Sequence, residues 1–227
     1  MIAAPGQPES LNACQRWISL SEFLVGGAIV IAHNVYHRLP NEVPILFVLG
    51  WISIRLRDGG WKMVGLRKPD SWRKTILWGL LAGVLIVIAG QLAAFAGATI
   101  WHKVAKGPAV LKQAKESWKG ALFGLAVVWT FAAFGEEMGY RGYLMTRAAD
   151  VGKRSKLAYL VALLASSVLF GYGHYFKGPP GILQSTVSGL ILGAAYLLSG
   201  RNLWVSIVAH GCADTIVIAA LFFGVAD

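Results

Sequence analysis

Residues 119–148 read KGALFGLAVVWTFAAFGEEMGYRGYLMTRA, and this stretch decides the class of fold. From Ala121 to Phe134 no side chain is charged, and then Glu136, Glu137 and Arg141 stand inside what is still an apolar run. Crossing a hydrocarbon layer of about 30 Å takes about 20 mostly apolar residues, so the stretch predicts a membrane helix that carries ionisable groups. Working outward, the same template finds helices near 17–36, 74–100, 157–177, 181–200 and 203–225, with a shorter candidate at 43–55 (VPILFVLGWISIR) that either spans with Arg55 and Arg57 snorkelling or is re-entrant. The expectation is an all-α, polytopic transmembrane bundle of about seven (six to eight) membrane helices, forming one integral-membrane domain over 1–227.

Composition agrees with lipid as the solvent. Apolar residues make up 56% of the chain and charged residues 14%. The formal charge of +10 invites a nucleic-acid reading, but the cations sit in loops between apolar runs and no basic groove with interleaved aromatics is present. No nucleic-acid partner is expected. Cys14 and Cys212 lie far apart without CxxC spacing, which points to neither a thiolate metal site nor a disulfide framework. Residues 1–16 hold Pro5 and Pro8 and no compact apolar core, so the first helix is expected to act as its own insertion signal.

The chemistry-bearing residues gather in the late helices. Glu137 and Arg141, at i and i+4, can pair on one α-helical face, which leaves Glu136, rotated by about 100°, free to react. The alternative is a buried ion cluster that only stabilises the bundle. Phe170 and His174 in LFGYGHYF share a face, and Gly171 and Gly173 leave room beside the imidazole. His210 and Asp214 in VAHGCADT repeat the i, i+4 spacing, and the plainer reading of that pair is a hydrogen bond that pins two helices. By helix rise, Glu136 lies roughly 21 Å and His174 roughly 27 Å from the loop near 150–156, whereas His210 lies only about 10 Å from the loop at 200–203. The three converge only if helices tilt, break or start at different heights. Gly189 and Gly193 form a GxxxG, read first as close packing within the chain, with dimerisation as the other use.

Taken together, Glu136-Glu137-Met138-Gly139-Tyr140-Arg141, Phe170-Gly171-Tyr172-Gly173-His174 and His210-Gly211-Cys212-Ala213-Asp214 resemble the EExxxR, FxxxH and HxxxN/D motifs of the CAAX protease and bacteriocin-processing (CPBP) family of intramembrane peptidases. The order and spacing agree over about 120–220. Asp214 stands where the prenyl-protein proteases usually have asparagine. The resemblance implies proteolysis by a catalytic core over about 119–225, with Glu136, His174, His210 and Asp214 catalytic and Glu137, Arg141 and Phe170 supporting them. The implied roles are a water activated by Glu136, held by His174, with His210 and residue 214 facing the oxyanion. No cofactor is favoured. Zinc is the alternative, because Glu136, His174, His210 and Asp214 could ligate it, although no HExxH is present. Membrane lipids and a membrane-associated peptide or protein substrate are the expected partners, and the inner (cytoplasmic) membrane of a prokaryote is the expected location.

Two rival readings belong to other classes. One is a non-catalytic scaffold or chaperone that keeps the cluster for folding. The other is a proton-coupled transporter, to which Glu22 and His33 would add relay groups, but no pseudo-symmetric halves are evident and both residues read more simply as isolated polar positions near interfaces. Sidedness rests on the linker 55–74, where Arg55, Arg57, Lys62, Arg67, Lys68, Arg73 and Lys74 face Asp58 and Asp70 and mark a cytoplasmic loop. With seven spans this gives the N-terminus inside and the C-terminus outside, and leaves the lysines of 101–119 as an exception to the rule. A cysteine placed at Ser71 is expected to react with an impermeant thiol reagent only from the cytoplasmic side; labelling from the outer side would invert this topology.

Overall fold

The computed structural model describes residues 11–107 and 117–225. The insertion reading of residues 1–16 therefore falls largely outside the described residues, as do Lys112 and Lys115 of the 101–119 loop. The described chain is helical: α1 Ala13–Asn34, α2 Glu42–Asp58, α3 Trp72–Trp101, α4 Trp118–Val151, α5 Lys156–Tyr172, α6 Gly178–Leu198 and α7 Leu203–Phe222. No strand occurs among the described residues. Short polar side chains start most of these helices. Asn12, Asn41, Ser71, Ser117, Ser155 and Asn202 each accept a hydrogen bond from a backbone N–H of the first turn, satisfying a donor that the helix itself cannot. At the other end of α2, Gly59 takes a left-handed φ of 78°, which glycine adopts without steric cost, and this stops the helix before the basic linker.

Five helical stretches have the length and apolarity to cross a membrane: α1, α3, α4, α6 together with its preceding turn (Tyr175–Leu198), and α7. Among the described residues five helices thus meet that criterion, against the expected count of about seven spans. The helices at 43–55 and 157–177 both exist, but each is only 17 residues long. The reason differs between them. α2 carries Glu42, Arg55, Arg57 and Asp58. α5 stops at Tyr172, five residues short of the expected end, where Gly173 and a 3₁₀ turn over Tyr175–Lys177 redirect the chain into α6.

The bundle is apolar outside, as lipid demands, and its apolar core encloses the buried polar and charged groups. Leu77, Trp78, Leu81, Leu85, Ile88, Leu92 and Phe95 of α3 and Leu157, Leu160, Val161 and Leu164 of α5 are exposed, while the buried face of α3 is Thr75, Gly79, Gly83, Ile86, Gly90 and Gly97. Those glycines let backbones approach, which is how helices associate where no hydrophobic gain separates partner from solvent. Gly79 and Gly83 lie under α7, and a Cβ on Gly83 would stand 2.9 Å from both the Ala209 carbonyl oxygen and Cys212 Cβ. Gly97 meets Pro180 of α6 in the same way. On α6, Gly189 packs against Ser167 and Phe170 and Gly193 against Leu163, so both glycines of the GxxxG serve helix packing within the chain.

The charged side chains of α1 and α2 are not isolated, contrary to the sequence reading of Glu22 and His33. Arg147 of α4, 1% exposed, binds Glu22 at 2.7 Å, Asp58 at 2.6 Å and Asp150 at 2.9 Å. Arg57 pairs with Glu22, and Arg154 pairs with both Asp58 and Asp150. Three cations and three anions close a neutral cluster across α1, α2 and the end of α4. His33 instead pairs with Glu42 of α2 at 3.3 Å.

Since the Ala209 oxygen is backbone and cannot swing away, Gly83→Ala is expected to push α7 outward and lower thermal stability in detergent by about 1–3 kcal/mol. Gly27→Ala, whose Cβ meets only ordinary contacts at 3.7 Å and beyond, serves as the matched control and should leave Tm unchanged.

Candidate active site

The expected EExxxR helix exists, but it is not an ordinary α-helix. Val128–Glu136 and Met138–Leu144 are wound as π-helix, with the Met145 N–H bonded to the Tyr140 carbonyl five residues back. Such windings are rare and often coincide with functional sites. A π-helix turns less per residue than an α-helix, so Glu136 and Glu137 diverge less than the 100° that an α-helical reading assigns them.

Glu137 is fully buried, and its Oε1 is the meeting point of two helices. It accepts from Arg141 Nη1 at 2.8 Å and from His210 Nδ1 at 2.9 Å. Arg141, 1% exposed, also donates to the Gly189 carbonyl of α6 at 3.2 Å and lies 4.4 Å from the centroid of Phe170. Phe170 contacts both imidazoles, with ring centroids 4.8 Å from His174 and 5.9 Å from His210. The Glu137–Arg141 pair was legible from spacing; the tie from Glu137 to His210 was not, because nothing in the sequence says which turn of α7 lies beside α4.

Glu136 is placed differently. Its Oε2 is buried without a hydrogen-bond partner, as is Glu137 Oε2, but Glu136 has no counterpart of the two bonds that hold Glu137 Oε1. That state costs free energy unless a water or substrate atom completes it. His174 lies beyond the end of α5 rather than within a helix, yet its Nδ1 stays 2.9 Å from the Phe170 carbonyl. A carbonyl only accepts, so Nδ1 carries the proton and Nε2 is left as the free nitrogen. The same reasoning protonates His210 Nδ1 against Glu137 and leaves Nε2 toward Asp214, whose Oδ2 is 3.7 Å away, beyond hydrogen-bond range. The expected His210–Asp214 pair is therefore loose, and Glu137 supplies the contact that orients the imidazole.

Helix rise alone left His210 too shallow to meet Glu136 and Glu137. The structure resolves this through unequal starting heights. A Cβ on Gly142 would touch Trp61 and Leu203, so the first residue of α7 lies level with Gly142, nine residues before α4 ends. The Leu203 N–H donates to the Gly65 carbonyl, so the 61–66 turn underlies α7. The last turns of α4 project past it into the ion cluster.

Sequence reasoning also missed Glu42. This buried carboxylate and the Tyr140 hydroxyl both approach Gly173, the neighbour of His174: a Cβ there would lie 3.6 Å from Glu42 Oε1 and 2.6 Å from Tyr140 Oη. A single carboxylate 94 residues before the first motif carries no signal of its own. Among the described residues no three His, Cys, Asp or Glu side chains gather as a metal-ligating group.

A multi-pass helical membrane protein with a buried Glu/Arg/His centre across its late helices is the class that fold and site define. Residues 118–216, from the start of α4 to the Asp214 turn of α7, match the family model described as type II CAAX prenyl endopeptidase, Rce1-like, and this match assigns the segment to the CAAX protease family. No curated protein and no solved structure matched the chain.

Removing the Glu137 carboxylate strands Arg141 in low dielectric and frees His210 at once. Glu137→Ala is expected to cost about 3–5 kcal/mol of stability, read as a lower Tm or denaturant midpoint in detergent. A Glu137→Ala protein as stable as the parent would refute this account of the site.

Proposed function

We propose that the chain is an intramembrane endopeptidase that hydrolyses a peptide bond of a membrane-associated protein or peptide with a water activated by Glu136. The observation that carries this reading is the buried, unpartnered Glu136 Oε2 next in sequence to Glu137, the carboxylate that orients the His210 imidazole. Glu136 takes a proton from water as its oxygen attacks the scissile carbonyl carbon. His174 Nε2 helps hold that water. His210, its ring oriented by Glu137 through Nδ1, faces the oxyanion with its Nε2 edge. As the C–N bond breaks, the proton held by Glu136 passes to the departing amine. The Glu137–Arg141–Gly189 contacts hold the geometry, and the family match supports the reaction class.

No step here needs a metal. The test is cleavage of a peptide library by the detergent-purified protein. Glu136→Gln is expected to lower the rate by about 10²–10⁴ without unfolding the protein, and Asp214→Asn to keep substantial activity with a shifted pH profile. Activity should survive chelators, with well under one zinc per chain. Cleavage that is lost to a chelator and restored by stoichiometric zinc would replace this mechanism with a metalloprotease one.

A further inference from the structure

The ion cluster at the end of α4 consumes Arg57 and Asp58 of the 55–74 linker. What remains there is Arg55, Lys62, Arg67, Lys68, Arg73 and Lys74 against Asp70, and among the described residues none of these cations forms an ion pair. They do not sit on a loose loop. Trp61 and Val64 of the linker are buried, the Tyr196 hydroxyl donates to the Val64 carbonyl at 2.8 Å, and the Leu203 N–H donates to the Gly65 carbonyl at 3.2 Å. The linker is thereby tied to α6 and α7, while Arg55, Lys62, Lys68, Arg73 and Lys74 stay exposed.

Beside this surface an apolar groove of about 450 Å³ opens between α3, α4 and α7. Trp72 and Ile76 of α3, Trp204 and Ile207 of α7, and Trp129 and Phe134 of α4 line it. Trp72 and Trp204, with ring centroids 5.6 Å apart, stand in the first turns of their helices, where amphipathic rings suit the membrane–water boundary. Arg73 and Lys74 follow Trp72 directly and put charge at the rim. Trp129 lies deeper, over Gly211, where an added Cβ would stand 2.6 Å from its ring. From Trp204 to Gly211 the helix rises about 10 Å, so the groove has room for a length of hydrocarbon chain below the rim.

We propose that the linker and the groove together bind one anionic phospholipid, its phosphate on the cations at the start of α3 and an acyl chain between the tryptophans. A cationic rim over an apolar slot complements a molecule with one negative end and one hydrocarbon end. A zwitterionic lipid would leave the excess positive charge uncompensated, and an acidic peptide would leave the slot unfilled. Basic clusters of this size beside a membrane helix attract anionic lipid, each cation adding to the affinity. Binding there does not depend on the peptidase reading.

Lipid retention by the full chain in detergent is measured by native mass spectrometry. The probes are phosphatidylglycerol and phosphatidylcholine with identical acyl chains, and glycerol phosphate as the headgroup alone. Phosphatidylglycerol is expected to bind at least about tenfold more tightly than phosphatidylcholine, with a preference that shrinks as salt rises. Arg73→Gln combined with Lys74→Gln should abolish that preference. Arg73→Lys should keep it, and so should Lys103→Gln, just beyond the far end of α3. Ile76→Trp, which fills the groove from its exposed wall, should weaken retention of phosphatidylglycerol. All these positions are exposed, so each variant should keep the Tm of the parent. Equal affinity for the two lipids, a preference that survives the double Gln variant, or retention untouched by Ile76→Trp overturns the proposal. So does glycerol phosphate that competes as well as the whole lipid, since the site would then be one for free phosphate.

Discussion

One carboxylate oxygen organises the catalytic half of the molecule. Glu137 Oε1 receives Arg141 from its own helix and His210 from α7, and through Arg141 it reaches α6 and the Phe170 ring of α5. In a medium that solvates no charge, an ion pair is weak evidence for net stability, but breaking it is expensive. The practical effect is geometric. Four helices can depart from this arrangement only by leaving Arg141 or Glu137 uncompensated, so two imidazoles and Glu136 are held in register by a residue that has no reacting role in the proposed chemistry.

A second, separate cluster performs the same service for the first half. Arg57, Arg147 and Arg154 are balanced by Glu22, Asp58 and Asp150, with Ser19 and Ser53 hydroxyls filling the remaining contacts. It anchors the end of α4 that projects beyond α7. That projection is what lets His210, only seven residues into its helix, stand beside Glu137. The two clusters thus act in series on α4, one setting how far the helix extends and the other what it touches at its centre.

Packing between these polar clusters depends on small residues rather than bulky ones. Gly79 and Gly83 seat α7 on α3, and Gly189 brings its own carbonyl within reach of Arg141. The seat at Gly83 lies against Ala209, so the placement of His210 depends on an absent side chain one helix away. Lipid supplies no hydrophobic gain to compensate a looser fit, which makes van der Waals contact at these glycines a main contribution to association.

The helical, membrane-embedded class, the approximate limits of the helices and the Glu137–Arg141 pair were all legible in the chain, because apolar run length and i, i+4 spacing are local properties. The GxxxG at Gly189 and Gly193 was legible in the same way, and its packing within the chain follows from it. The π winding at Glu136 was not, since it arises from how α4 fits its neighbours rather than from any local residue preference. Nor were the bond from Glu137 to His210, the approach of Glu42 to Gly173, or the joining of Glu22 to Arg147, each of which links residues at least 73 positions apart or on helices whose relative height no local pattern encodes. Sequence by itself determined which side chains had to be removed from lipid; only tertiary structure decided which partners they found, because a buried charge accepts whichever opposite charge the helix offsets bring within about 3 Å.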